Sequence, residues 1–132
     1  MKTLTLLLSA LLVAGTVVAH TLAAAFGWTS TTHDFGKIRQ AKPVTISYTF
    51  TNKGEAPLLV TYAKGSCGCT GVEWPKEAVL PGATGQIKAT FNAASLGAFS
   101  KSVYVESNAD GGPVTLTFKG EVVAEGNATN GR

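Results

Sequence analysis

Val44-Thr45-Ile46-Ser47-Tyr48-Thr49-Phe50-Thr51-Asn52 decides the fold. Val44, Ile46, Tyr48 and Phe50 alternate with Thr45, Ser47, Thr49 and Thr51. Successive side chains of a strand point to opposite faces, so this alternation sets one face in a core and the other in water. Asn52-Lys53-Gly54 then closes the strand with turn residues.

The same rhythm continues outward. Towards the N-terminus, Trp28 to Phe35 reads as a first strand, closed by Gly36. Towards the C-terminus, Leu58 to Ala63 reads as a third strand, opened by Pro57, and a glycine-rich loop with Gly65, Gly68 and Gly71 follows. Val72-Glu73-Trp74 is short and extended, and Pro81-Gly82 is a turn. Gln86 to Asn92 places Ile87, Ala89 and Phe91 on one face. Ser100 to Ser107 carries Val103 and Val105, and Val114 to Val122 carries Val114, Leu116 and Phe118. About seven short strands separated by turn signals point to an all-β, immunoglobulin-like antiparallel β-sandwich over residues 28–123. A small closed barrel is the alternative. The polar tail 124–132 holds no core residue and is expected to be disordered.

The first 25 residues have a different composition. Met1-Lys2 is a positive start, and an apolar run of leucines, valines and alanines follows to Val18. Val17-Val18-Ala19 and Ala23-Ala24-Ala25 are small-residue cleavage patterns. This order describes an N-terminal signal helix, a secretory signal peptide over 1–25 cleaved after Ala19 or Ala25. The alternative is a retained membrane anchor, which His20 interrupts. The chain is therefore expected to be exported, to the periplasm, to the cell surface or into the medium. With 132 residues it has room for one such domain. Its formal net charge of +3 is scattered from Lys37 to Lys119 with no basic stripe, so no nucleic-acid partner is expected.

Several local sequences together resemble a known family. They are His33-Asp34-Phe35-Gly36-Lys37-Ile38, Thr49-Phe50-Thr51-Asn52-Lys53-Gly54, Ser66-Cys67-Gly68-Cys69-Thr70, Leu80-Pro81-Gly82, Phe91-Asn92 and the closing Leu116 to Val122. Their order resembles the bacterial secreted family called domain of unknown function 1573. It is similar in outline to immunoglobulin-like domains related to major sperm protein and to Hydin-type ciliary domains. The resemblance covers roughly His33 to Val122. It implies a seven-stranded sandwich in the envelope or outside the cell, and it implies no activity.

Cys67 and Cys69 are the two cysteines of the chain, with Gly68 between them. In an oxidising compartment such a pair becomes a disulfide. The ring is very small, and the stabilising loop-closure term grows with loop length. Lys64 stands near enough in sequence to lower a thiol pKa. Three readings stay open: a local turn device, a Cu(I) site of two thiolates, and a redox couple. A metal site usually takes more ligands, and His33 lies on another strand. A redox site of the thioredoxin kind uses two intervening residues at a helix start, where this chain has one and no helix.

No catalytic constellation is legible. Asp34, Glu55, Glu73 and Glu77 are not paired for acid–base work, and no Gly-x-Ser-x-Gly elbow occurs. Trp28, Trp74, Tyr62 and Tyr104 read as core or edge packing before they read as a binding surface. The expectation is a non-catalytic binding or assembly module of the bacterial cell envelope with no cofactor. Its partner would be an envelope or cell-surface protein, with a membrane involved if the signal is retained. Gly65, Ser66, Gly68 and Thr70 form the candidate contact loop. A thiol-based Cu(I) or redox role at Cys67 and Cys69 is the alternative.

Overall fold

The computed structural model describes residues 15–16 and 22–125. The expectations for the signal segment up to residue 21 and for the tail beyond residue 125 lie outside those residues. Eight strands make up the described fold: β1 (Phe26–Trp28), β2 (Thr32–Arg39), β3 (Val44–Asn52), β4 (Val60–Gly65), β5 (Thr70–Glu73), β6 (Thr84–Phe91), β7 (Gly97–Ser107) and β8 (Val114–Val123). They form two four-stranded sheets, ordered β1-β3-β6-β5 and β2-β8-β7-β4. The fold is the expected all-β, immunoglobulin-like sandwich.

The inner faces are those the alternation marks. Tyr48, Phe50, Ile87, Ala89 and Phe91 come from one sheet, and Val103, Val105, Leu116, Phe118 and Val122 from the other; all are buried. Each large apolar side chain taken out of water contributes about 2 kcal/mol. Phe91, Phe99 and Phe118 gather at one end of this core, with ring centroids 4.3 Å apart for Phe91–Phe99 and 5.8 Å for Phe91–Phe118. Trp28 packs on Phe26 and Phe50, with centroids 4.6 and 5.2 Å away, which is the packing role expected of it.

Four readings of the sequence are corrected in detail. The stretch from Trp28 to Phe35 is divided between the sheets, with β1 in one and β2 in the other, so the strands number eight rather than about seven. Gly36 does not close a strand. It lies inside β2 at φ +66°, where the register against β8 slips between Asp34 and Lys37. The Asp34 carboxylate accepts the Gly36 N–H at 2.8 Å and turns the chain there, a conformation that glycine adopts without strain. Finally, β2 runs parallel to β8 while the other pairs are antiparallel. Leu58 also stands outside β4, in an isolated bridge with Val79.

Packing begins before Trp28. Ala24 is 2% exposed and bridges Ala109. The Ala23 carbonyl accepts the Glu55 N–H at 2.9 Å, and the Ala25 carbonyl accepts the Lys53 N–H at 2.8 Å.

Candidate functional site

Two sides of the sandwich bring the sheets' edges together. On one, the chain crosses from β1 to β2 through residues 29–31. On the other, it crosses from β4 to β5 through Ser66-Cys67-Gly68-Cys69. The second crossing is the candidate contact loop.

Its shape follows from its residues. Gly65 ends β4 in a buried position where a Cβ would stand 2.7 Å from the Thr70 Cβ, so only glycine lets the two strands approach. Ser66 is tied to β7 twice: its N–H donates to the Ser102 carbonyl at 2.8 Å, and its Oγ accepts the Ser102 N–H at 3.1 Å. The Thr70 N–H donates to the Cys67 carbonyl at 3.3 Å, closing the turn. The Asn92 N–H donates to the Cys69 carbonyl at 3.0 Å, anchoring the far end just beyond β6. Gly68 is exposed at the tip with open space around it.

Cys67 and Cys69 are joined as a disulfide, with Cα atoms 5.2 Å apart. Both residues are half-buried. Two sulfurs bonded to each other offer no thiolate to a metal. Among the described residues no group of three or more His, Cys, Asp and Glu side chains comes together. His33 is remote from the loop in the fold and turns its ring edge onto Phe35, at 4.5 Å between centroids.

Two features of the site go beyond the sequence reading, which placed Thr70 in the contact loop but gave its hydroxyl no role. Thr70 is 8% exposed, and its hydroxyl lies 3.8 Å from the Cys67 Sγ and 3.9 Å from the Cys69 Sγ. One hydroxyl thus faces both sulfurs. The signal for it was present: Thr70 opens β5, and period-two alternation turns it inward. The second is Lys101. It shares with Cys69, Phe91, Asn92, Leu96 and Phe99 the lining of a cleft of about 190 Å³. Lys64, the lysine singled out from the sequence, instead stands opposite Tyr104 on the exposed face of β4.

Tyr62 from β4 and Trp74, just past β5, meet across the same side with centroids 6.5 Å apart, and the Lys76 ammonium sits 3.2 Å above the Trp74 ring. Tyr104 is 40% exposed, and its hydroxyl donates to the Glu106 carboxylate at 2.8 Å. That hydrogen bond, more than its slight desolvation, raises the Tyr104 pKa. Two other furrows, of about 330 and 410 Å³, run along β2, β8 and β7 and share Asp34, Ser100 and Lys119. The larger one adjoins the Cys69 cleft at Ala98 and Phe99.

Fold and site together define an immunoglobulin-like domain that carries a small disulfide loop at the junction of its sheets. The chain belongs to the family described as a protein of unknown function, domain of unknown function 1573, which it matches over residues 26–122. Comparison with curated proteins finds no match. Among solved structures it is similar to a protein of unknown function from Porphyromonas gingivalis W83, with a TM-score of 0.67, 14% identity, and 81% of this chain and 51% of that one covered. It is also similar to the VesB protease of Vibrio cholerae (TM-score 0.61, 16% identity, 74% and 32% covered). A third is the ASH or PapD-like domain 7 of human CEP192 (TM-score 0.59, 11% identity, 81% and 96% covered). The chain thus spans about half of the Porphyromonas protein and a third of the protease, but nearly all of the human domain. At these identities the likeness shows the fold alone.

Proposed function

We propose that this domain is a non-catalytic binding or assembly module that works after export, in the periplasm or at the cell surface, on an envelope protein partner. The observation that carries the reading is the set of hydrogen bonds that anchors the crossing loop. Hydrogen bonds to Ser102 and from Asn92 hold it in place, and Gly68 stands exposed at its tip. A loop fixed before a partner arrives loses little conformational entropy when the partner docks. The Met1-Lys2 start, the apolar run and the small-residue cleavage patterns support export. A disulfide suits an oxidising compartment. PapD-like sandwiches support this fold as a scaffold, and the loop supplies what is particular to the chain.

The test is site-specific photo-crosslinking in cells. A photoreactive residue is placed at Gly68, and in a second strain at Ser47 on the outer face of β3. A discrete adduct with one envelope protein is expected from position 68 and not from position 47. The same adduct from both positions, or none from position 68, defeats the loop reading.

A further inference from the structure

We infer that the Cys67–Cys69 bond is an exchangeable disulfide, built to be opened by a dithiol and closed again without loss of the fold. The inference goes beyond the binding role and does not depend on it. Three observations on the loop carry it.

The first is that the bond has little structural work to do. Cys67 and Cys69 are two residues apart, so the ring constrains almost none of the unfolded chain. The backbone of the loop is already held by its bonds to Ser102 and Asn92, by the Thr70–Cys67 turn, and by the pairing of β5 with β6 from Thr70↔Phe91 onward. With the disulfide open, those ties remain and keep the two sulfurs close.

The second is access. Cys69 lines an open cleft beside Leu96, which is 57% exposed, and both cysteines are half-buried rather than enclosed. An attacking thiolate can reach Cys69 along that cleft. Lys101 on the cleft wall provides positive charge that favours thiolates there.

The third is the Thr70 hydroxyl, placed at nearly equal distance from both sulfurs. A hydroxyl donates a hydrogen bond to a thiolate more strongly than to a disulfide sulfur. Whichever sulfur leaves as a thiolate, Thr70 is in position to receive it.

A partner thiolate attacks the Cys69 Sγ. A new S–S bond joins the partner to Cys69, and the electron pair of the Cys67–Cys69 bond leaves on the Cys67 Sγ beside Thr70. The partner's second thiol, deprotonated, then attacks its own sulfur in the mixed disulfide and releases Cys69 as a thiolate. The partner departs oxidised to a disulfide, and this chain holds two thiols. Two electrons have passed from the partner dithiol to the cysteine pair, and the two protons of the partner go to the new thiols or to solvent. Thr70 is a positioning residue in this scheme.

The test uses purified, folded, oxidised protein, with dithiothreitol as the dithiol probe and reduced glutathione as the monothiol. Exchange is quenched by alkylation and read by intact mass, while far-UV circular dichroism and thermal melting follow the fold. Opening without denaturant is expected, with two alkyl groups added and the melting curve nearly unchanged. Thr70→Val is expected to slow opening about tenfold and Thr70→Ser to restore it. As a check that does not require Thr70→Val to fold, Cys67→Ser, which leaves Cys69 alone in the cleft, should react with oxidised glutathione, added as a separate probe, faster than Cys69→Ser: the cysteine thiolate takes one glutathione sulfur and the other leaves as reduced glutathione. A bond that opens only in denaturant overturns the inference, as does a fold lost on reduction. Equal rates for wild type and a folded Thr70→Val, or equal adduct formation by the two single-cysteine variants, do the same.

Discussion

The Tyr48 side chain is buried, and its part-buried hydroxyl donates to the Thr117 carbonyl at 2.6 Å. Burial pushes its pKa up from 10.0 to about 12. The sign of the consequence follows from proton counting. Between the unfolded and the folded value, the unfolded chain has lost a proton that the folded chain keeps, so the unfolded state binds fewer protons and stability falls as pH rises. This contribution is complete below about pH 10 and is lost towards about pH 12. Chemical denaturation at about pH 8 and about pH 11 is expected to give a clear loss for the wild type and a much smaller one for Tyr48→Phe. At the lower pH the variant should be less stable by about 1 kcal/mol, for the hydrogen bond it lacks. Equal alkaline losses for both would remove Tyr48 as the cause. The alternation of its strand marked Tyr48 as inward-facing. Asn52 at the end of the same strand was legible as a turn residue before Lys53-Gly54, and β3 does end there, but its wider role was not legible. In the fold it is 1% exposed, its amide donates to the Ala56 and Val79 carbonyls, and its Oδ1 accepts the Ala25 and Gly54 N–H groups. Such a role needs partners from three separate segments, and no local pattern announces it.

The Ala23-Ala24-Ala25 segment shows how an element can be hidden by composition. Small residues after an apolar run read as a cleavage pattern, and the same small side chains let this backbone lie against the sandwich. Ala24 is buried against Ala109, its carbonyl accepts the Asp110 N–H at 2.9 Å, and the Ala25 N–H satisfies buried Asn52. A cut after Ala25 would strip these groups and leave Asn52 Oδ1 short of a partner. A cut after Ala19 keeps them. On the export proposed above, the mature chain is therefore expected to begin at His20, as read by intact mass. A purified chain beginning at Phe26 is expected to be less stable by about 3 kcal/mol, from one emptied apolar site and several lost hydrogen bonds. An exported form that begins at Phe26 and melts like the longer one would refute this. The division of the first expected strand has a similar origin. Between Trp28 and Phe35 the chain holds only polar residues, so nothing in its pattern marks where it passes from one sheet to the other, and a period of two carries no information about which sheet a residue joins. Nor does it carry strand direction, which is why the parallel β2–β8 pair was not legible.

At the scale of the whole molecule, a sandwich must keep its sheet edges from pairing with other chains. Three edges here are short or covered: β1 has three residues, β5 four, and β4 lies beside the disulfide loop and the Tyr62–Trp74 contact. β2, with eight residues, is the long edge among the described residues. It is guarded by the bulge at Gly36 and by the exposed charges of Asp34 and Lys37. Asp34 serves twice, since its carboxylate also holds the bulge through Gly36. The motif His33-Asp34-Phe35-Gly36-Lys37-Ile38 was legible as a family signature, and its physical use emerges only once β2 is seen to be an edge. The molecule is accordingly expected to be a monomer by light scattering. Lys37→Val removes the charge, and Gly36→Val adds a side chain that the left-handed backbone disfavours, so the strand flattens. The double variant is expected to associate through β2 into dimers or larger species, and Lys37→Val alone to do so more weakly. If both variants fold, by circular dichroism, and both stay monomeric at the highest soluble concentration, then the bulge and its charges guard nothing. The edge would then be free to serve as the partner surface in place of the disulfide loop.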